Sequence, residues 1–149
     1  MFQQILVLWD GSDLAERAFA IASDLGAVYG AEITAVCVVE RSRSPRRPAT
    51  AARRHHDRQA GRPLPSGDPV QALFAQRHVH DRTEPCHAEL RVIHGDDVVA
   101  DLLDLAHEHG SDLVVVGHHR EHAPHHVFPH GLAERLVFSS RLPVLVVAG

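Results

Sequence analysis

Five short apolar runs, separated by longer segments, constrain this 149-residue chain more than any other feature. The first, Ile5-Leu6-Val7-Leu8-Trp9, is apolar without alternation, the pattern of a strand buried on both faces. From Asp13 to Tyr29 apolar residues return at Leu14, Ala18, Ile21, Ala22 and Leu25, which is helical spacing. Ser12 reads as the N-cap of that helix, Asp13 and Glu16 as acids favoured in its first turn, and Gly30 as its end. The remaining runs place strands at 32–39, 88–95, 112–117 and 143–148. Helices are predicted over about 70–82, with Leu73 and Phe74 facing inward, and near 131–139. Another is predicted after Asp96, its expected cap, with Val98, Val99, Leu102, Leu103 and Ala106 as one stripe. Strands separated by helices require right-handed crossovers. The expected fold is therefore α/β: an open, doubly wound, five-stranded parallel sheet with helices on both faces.

With 44% hydrophobic residues the chain fits one domain and leaves no room for two ordinary ones. Its formal charge of −4 does not point to nucleic acid or an anionic membrane. All 15 basic residues are arginine, which excludes Schiff-base lysine chemistry and a P-loop lysine. The N-terminus lacks the basic region of a signal peptide, and no run is long enough to span a bilayer, so a cytosolic location is expected. Cys37 reads as a buried thiol and Cys86 as a residue at a strand entrance; two cysteines make no disulfide framework.

Residues 41–69 break the pattern. Eight arginines fall between Arg41 and Arg62, prolines interrupt the span, and no aromatic residue is present for base stacking. This reads as a long, mobile, solvated connection. A second departure is Gly117-His-His-Arg-Glu-His-Ala-Pro-His-His-Val-Phe-Pro-His-Gly131, which holds six of the 14 histidines directly after the fourth run. Clustered imidazoles suit zinc, nickel or copper and titrate near neutral pH. Yet no cysteine fixes a tetrahedron, and Pro124 and Pro129 prevent one helical face from gathering the ligands. Catalysis has little support: there is no Gly-x-Ser-x-Gly elbow, and Ser12 has a sufficient role as a cap. In open sheets a ligand crevice lies beyond the carboxyl ends of the strands where the winding reverses. If the first and fourth strands are neighbours there, Asp10 faces the loop that starts at Gly117.

The segments 5–39, 92–119 and 131–147 resemble the blocks of the universal stress protein family; residues 41–85 lie outside the resemblance. The resemblance implies the strand order 3-2-1-4-5, an adenine nucleotide alpha hydrolase-like fold and a cytosolic stress-linked role without established catalysis. It also implies a homodimer. The last strand, Pro143–Val147, is apolar and would be an edge that invites pairing. Nucleotide-binding members carry Gly-x2-Gly-x9-Gly-Ser/Thr after the fourth strand. The corresponding positions here are Gly117, Arg120, His130 and Gly131, and only the first matches. The bulky side chains stand where bare backbone would meet phosphate, and Gly131 lacks the hydroxyl. The base and sugar side is better kept. Asp10 matches the acid near the ribose, Val38 the residue whose backbone meets adenine, and Leu8 replaces the usual proline. Val116 and Leu132 complete the candidate set. The resemblance thus implies a stress-response regulatory or ligand-sensing protein that is not a tight ATP binder. One alternative is an adenine-nucleotide binder (ATP, AMP or a cyclic nucleotide, with Mg) having at most slow ATP hydrolysis. A second is a metal binder through the histidine loop. No nucleic-acid or membrane partner is expected.

Overall fold

The computed structural model describes residues 1–40, 69–78, 88–118 and 131–149. Its elements run β1 (Gln4–Leu8), α1 (Asp13–Tyr29), β2 (Glu32–Glu40), α2 (Pro69–His78), β3 (Ala88–Gly95), α3 (Val98–Glu108), β4 (Leu113–His118), α4 (Leu132–Ser139) and β5 (Val144–Ala148). The strands form one sheet in the order β3-β2-β1-β4-β5, and every neighbouring pair is parallel. The expected architecture and order hold. The winding reverses at β1, which has β2 on one side and β4 on the other.

Side-chain alternation along the central strand divides the core into two layers. Ile5, Val7 and Trp9 pack with Leu14, Ala18, Phe19 and Ala22 of α1 and with Phe74 of α2. Leu6 and Leu8 point to the opposite face and pack with Val98, Val99, Leu102 and Leu105 of α3 and with Leu132, Ala133 and Leu136 of α4. An unbroken apolar run is therefore what β1 needs, because neither face meets water. Asp112 pins the start of this strand to β4: its carboxylate accepts from the backbone N–H groups of Gln3 at 2.7 Å and Gln4 at 3.2 Å.

Both ends of α1 follow the sequence. Ser12 Oγ accepts from the Ala15 N–H at 3.1 Å, and Gly30 closes the helix in the left-handed conformation at φ 68°. Several local expectations are corrected. The cap of α3 is Asp97, not Asp96: it has the extended backbone of a cap, and its Oδ1 accepts from the Val99 and Ala100 N–H groups. The helix simply starts one residue later. Its inward stripe takes Leu105, while Leu103 is only half-buried. On α2, Phe74 faces inward, making edge-to-face contacts with Trp9 and Phe19, but Leu73 is 38% exposed. Cys37 is half-buried against the α1 layer. Strand β1 ends at Leu8, and Trp9 adds one further bond to β2. The connection at 41–68, the end of the 70–82 helix and Cys86 lie outside the described residues.

Asp101, in the first turn of α3, is half-buried against Gly95. A Cβ at Gly95 would fall on its carboxylate, and its Oδ2 is buried without a hydrogen-bond partner among the described residues. Burial pushes the Asp101 carboxyl above the ordinary range; the Asp97 N–H opposes this in part, and the charges of Asp97, Asp104 and Asp96 add to it. Asp97 is the opposite case: the Ala100 N–H and then the Arg135 guanidinium hold its carboxyl low. Since the native pKa of Asp101 is raised, its ionised form weakens the fold above that pKa, and the cost vanishes as pH falls toward the unfolded value. The contribution of Asp97 is present above its unfolded pKa and is lost as pH falls through the lowered native one. Asp101→Asn removes the buried charge and is expected to raise the unfolding free energy at neutral pH. In urea titrations that gain should shrink as the pH approaches about 4, close to the unfolded carboxyl pKa.

Candidate functional site

Unequal strand lengths open a notch at the centre of the sheet. β1 stops at Leu8, paired with Val36, whereas β2 continues to Glu40 and stays paired with β3 as far as Gly95. On the other side β4 continues to His118, paired with β5 as far as Ala148. In a parallel ladder the N–H and C=O of one residue point to the same neighbour, and successive residues alternate. Trp9 N–H donates to the Val36 carbonyl at 2.8 Å, so Val36 is turned toward β1. Two residues on, Val38 is turned the same way, past the point where β1 has ended. On β4, the Val114 N–H donates to Pro143 and the His118 carbonyl accepts from Gly149, so both residues face β5. Gly117, between His118 and Val116, therefore faces the notch. The backbone groups of Val38 and Gly117 look at each other across the missing end of β1.

The apolar candidates come together beneath them. Leu8, Val38, Val116 and Leu132 all belong to the layer shared with α3 and α4, each no more than 7% exposed. They form an apolar floor. Asp10 stands at the rim, half-buried, where the chain leaves the sheet. Its Oδ1 accepts from the Ser12 N–H at 2.9 Å; Oδ2 has no hydrogen-bond partner among the described residues. One oxygen fixes the turn. Trp9 is core rather than a cleft wall: it is 1% exposed, and its Nε1–H donates to Glu16 at 3.0 Å.

The side formed by the start of α4 has a different character. Gly131 is the cap residue of α4 at φ 89°, a conformation that a serine or threonine would adopt only with strain. It supplies no side-chain bond to the helix start. Glu134 lies 3.6 Å from where a Gly131 Cβ would be, and its other oxygen is 3.6 Å from His118 Nε2. A carboxylate thus lies at the positive end of α4. Neither Glu134 nor Leu14 was in the sequence-derived set. The acid three residues after a glycine at a helix start was the one legible hint for Glu134. Arg120, His130 and the loop histidines after His118 lie outside the described residues.

The donors among the described residues do not fit a protein-held Mg ion. Among the described residues no group of three or more His, Cys, Asp or Glu side chains could hold a metal. Asp10 offers one oxygen, enough only for a cation that arrives with its own phosphate ligands. Among the described residues no helix is long and apolar enough to cross a membrane.

The sequence model of the Universal stress protein family matches residues 1–148. Among solved structures, a protein of that family from Burkholderia pseudomallei is 26% identical, with a TM-score of 0.59, covering 98% of this chain and 96% of its own. A universal stress protein in complex with cAMP is 20% identical, with a TM-score of 0.65 and coverage of 99% and 97%. The universal stress protein from Archaeoglobus fulgidus in complex with dAMP is 16% identical, with a TM-score of 0.62 and coverage of 98% of each chain. No curated protein matches the chain.

Gly117 has a packing role as well as a place in the notch. A Cβ there would lie 2.9 Å from Leu14 Cγ, because the first turn of α1 wedges Leu14 over the end of β4. Gly117→Ala is expected to cost about 1–3 kcal/mol by overpacking. The cost should fall markedly in a Leu14→Ala background, read as the coupling energy of a double-mutant cycle in chemical unfolding. Additive losses would mean that Leu14 is not what the glycine accommodates.

Proposed function

The chain belongs to the universal stress protein family, and from that premise we propose that it is a cytosolic, ligand-sensing regulatory protein whose ligand is an adenine nucleotide with a single phosphate. The observation that carries this reading is that Val38 and Gly117 turn their backbone groups toward each other across an apolar floor, with an Asp10 oxygen at the rim that has no partner among the described residues. An adenine edge needs one donor and one acceptor side by side, which the N–H and C=O of Val38 supply. The purine faces need apolar surface, which Leu8, Val38, Val116 and Leu132 supply. Ribose hydroxyls need an acceptor, and Asp10 Oδ2 is one.

The phosphate end argues against tight ATP binding. A triphosphate needs several backbone donors and a neutral or positive setting. Here Glu134 sets a carboxylate by the start of α4. AMP or a cyclic nucleotide asks for far less of that side. The complexes with cAMP and dAMP formed by proteins of the same fold are in keeping with this preference.

A homodimer through β5 belongs to the same proposal. Leu145 and Val147 turn their backbone groups to β4, so those of Val144, Val146 and Ala148 face the open edge. Val146 is 38% exposed, and the neighbouring α4 exposes Phe138 at 88%. Pairing with a second copy across a two-fold axis satisfies that edge and covers apolar surface.

Calorimetry should give saturable AMP or cyclic-nucleotide binding at least about tenfold tighter than ATP, a difference of about 1.4 kcal/mol. Asp10→Ala should weaken AMP by about the same factor. No saturable heat at millimolar AMP, or ATP binding the tighter, overturns the proposal. For the dimer, Val146→Lys is expected to shift sedimentation from two copies to one without unfolding the chain.

A further inference from the structure

The turn that presents Asp10 is held by a helix from another part of the chain. Arg77, in the last turn of α2, donates through Nη1 to the Gly11 carbonyl at 2.9 Å and to Glu16 Oε1 at 2.9 Å. The same Glu16 oxygen accepts from Trp9 Nε1–H. Leu73 of α2 lies over Gly11, 3.5 Å from where a Cβ would be, and Phe74 packs its ring edge-to-face with Trp9. Gly11 itself is at φ 79°, so this turn has a backbone conformation that few other residues accept.

The Gly11 carbonyl and the Ser12 N–H are the two ends of one peptide group. Arg77 grips the oxygen, and Asp10 Oδ1 accepts from the nitrogen at 2.9 Å. Because the peptide is planar, fixing the oxygen fixes the direction of the N–H. A guanidinium on the carbonyl also polarises the group and strengthens the bond its N–H donates. We infer that Arg77 is a positioning residue for the ligand carboxylate: through the Gly11–Ser12 peptide it sets the orientation of Asp10, so docking of α2 and nucleotide binding are coupled. Arg77 need not touch the ligand. Linkage makes the effect reciprocal, so a bound ribose that engages Asp10 tightens the hold of α2 on the turn.

This inference rests on the nucleotide reading above, and the test separates the two. Arg77→Met removes both bonds, Arg77→Lys restores a charged donor, and Glu16→Gln keeps the Gly11 contact while removing the opposing charge. Arg77→Met is expected to weaken AMP binding about tenfold, Arg77→Lys about threefold or less, and Glu16→Gln less than about twofold. In the ligand-free protein, amide exchange at Ser12 should quicken about tenfold in Arg77→Met, while amides in β4 keep their rates. A folded Arg77→Met variant that binds AMP within about twofold of the parent overturns the inference. So does an unchanged Ser12 exchange rate. Should the parent protein itself bind no AMP, the nucleotide reading fails, and Ser12 exchange alone decides whether Arg77 orders the turn.

Discussion

The early end of β1 is the constraint from which the rest of this molecule follows. Its neighbours on both sides keep their outer ladder partners after it has gone, so their inner backbone groups are left facing one another. Backbone groups in an interior normally require partners. Here they lie at the sheet's carboxyl edge, where a ligand can supply them. Had β1 run two residues further, Val38 and Gly117 would have been consumed in ordinary sheet bonds. Gly11 in the left-handed region and Ser12 as an extended cap turn the chain out of the sheet and straight into α1.

Leaving the sheet so abruptly has a cost in packing freedom. The first turn of α1 lands on the end of β4, and Leu14 takes the space next to Gly117 and Gly149. One glycine therefore answers to two demands: a bare backbone toward the notch, and room for a leucine. A side chain at Gly117 would meet neither demand, since its Cβ would run into Leu14. At the start of α4, Gly131 is required by its own φ, and Glu134 sets a carboxylate beside it.

Two arginines tie helix ends together near the notch: Arg135 joins the starts of α3 and α4, and Arg77 joins the end of α2 to the start of α1. On the α3/α4 face Arg135 bonds both oxygens of Asp97, joining the first turns of the two helices. Both partners are about half exposed, so the pair adds little stability in water. On the opposite face Arg77 is more enclosed, and it bonds a backbone carbonyl as well as a carboxylate. The difference matters. A bond to the main chain fixes the direction of a peptide, whereas an exposed ion pair fixes mainly a distance.

Much of this was legible in the residues. The unbroken apolar β1, the period of α1 with Ser12 and Gly30 at its ends, and the β3 boundaries all follow from local chemistry: burial on two faces, a side-chain acceptor for a free N–H, a glycine at positive φ. The order of strands and the blocks around Asp10, Val38 and Gly117 were legible through resemblance. What the sequence could not carry was anything that depends on which surfaces meet. Leu73 and Phe74 are adjacent and both apolar, yet only Phe74 finds an aromatic partner in Trp9. Asp96 and Asp97 are chemically identical caps, and one residue of helix phase chose between them. The wedge of Leu14 on Gly117 and the grip of Arg77 on Gly11 join residues far apart in the chain. Local propensity fixed the elements, but close packing between them decided which side chains reached the site.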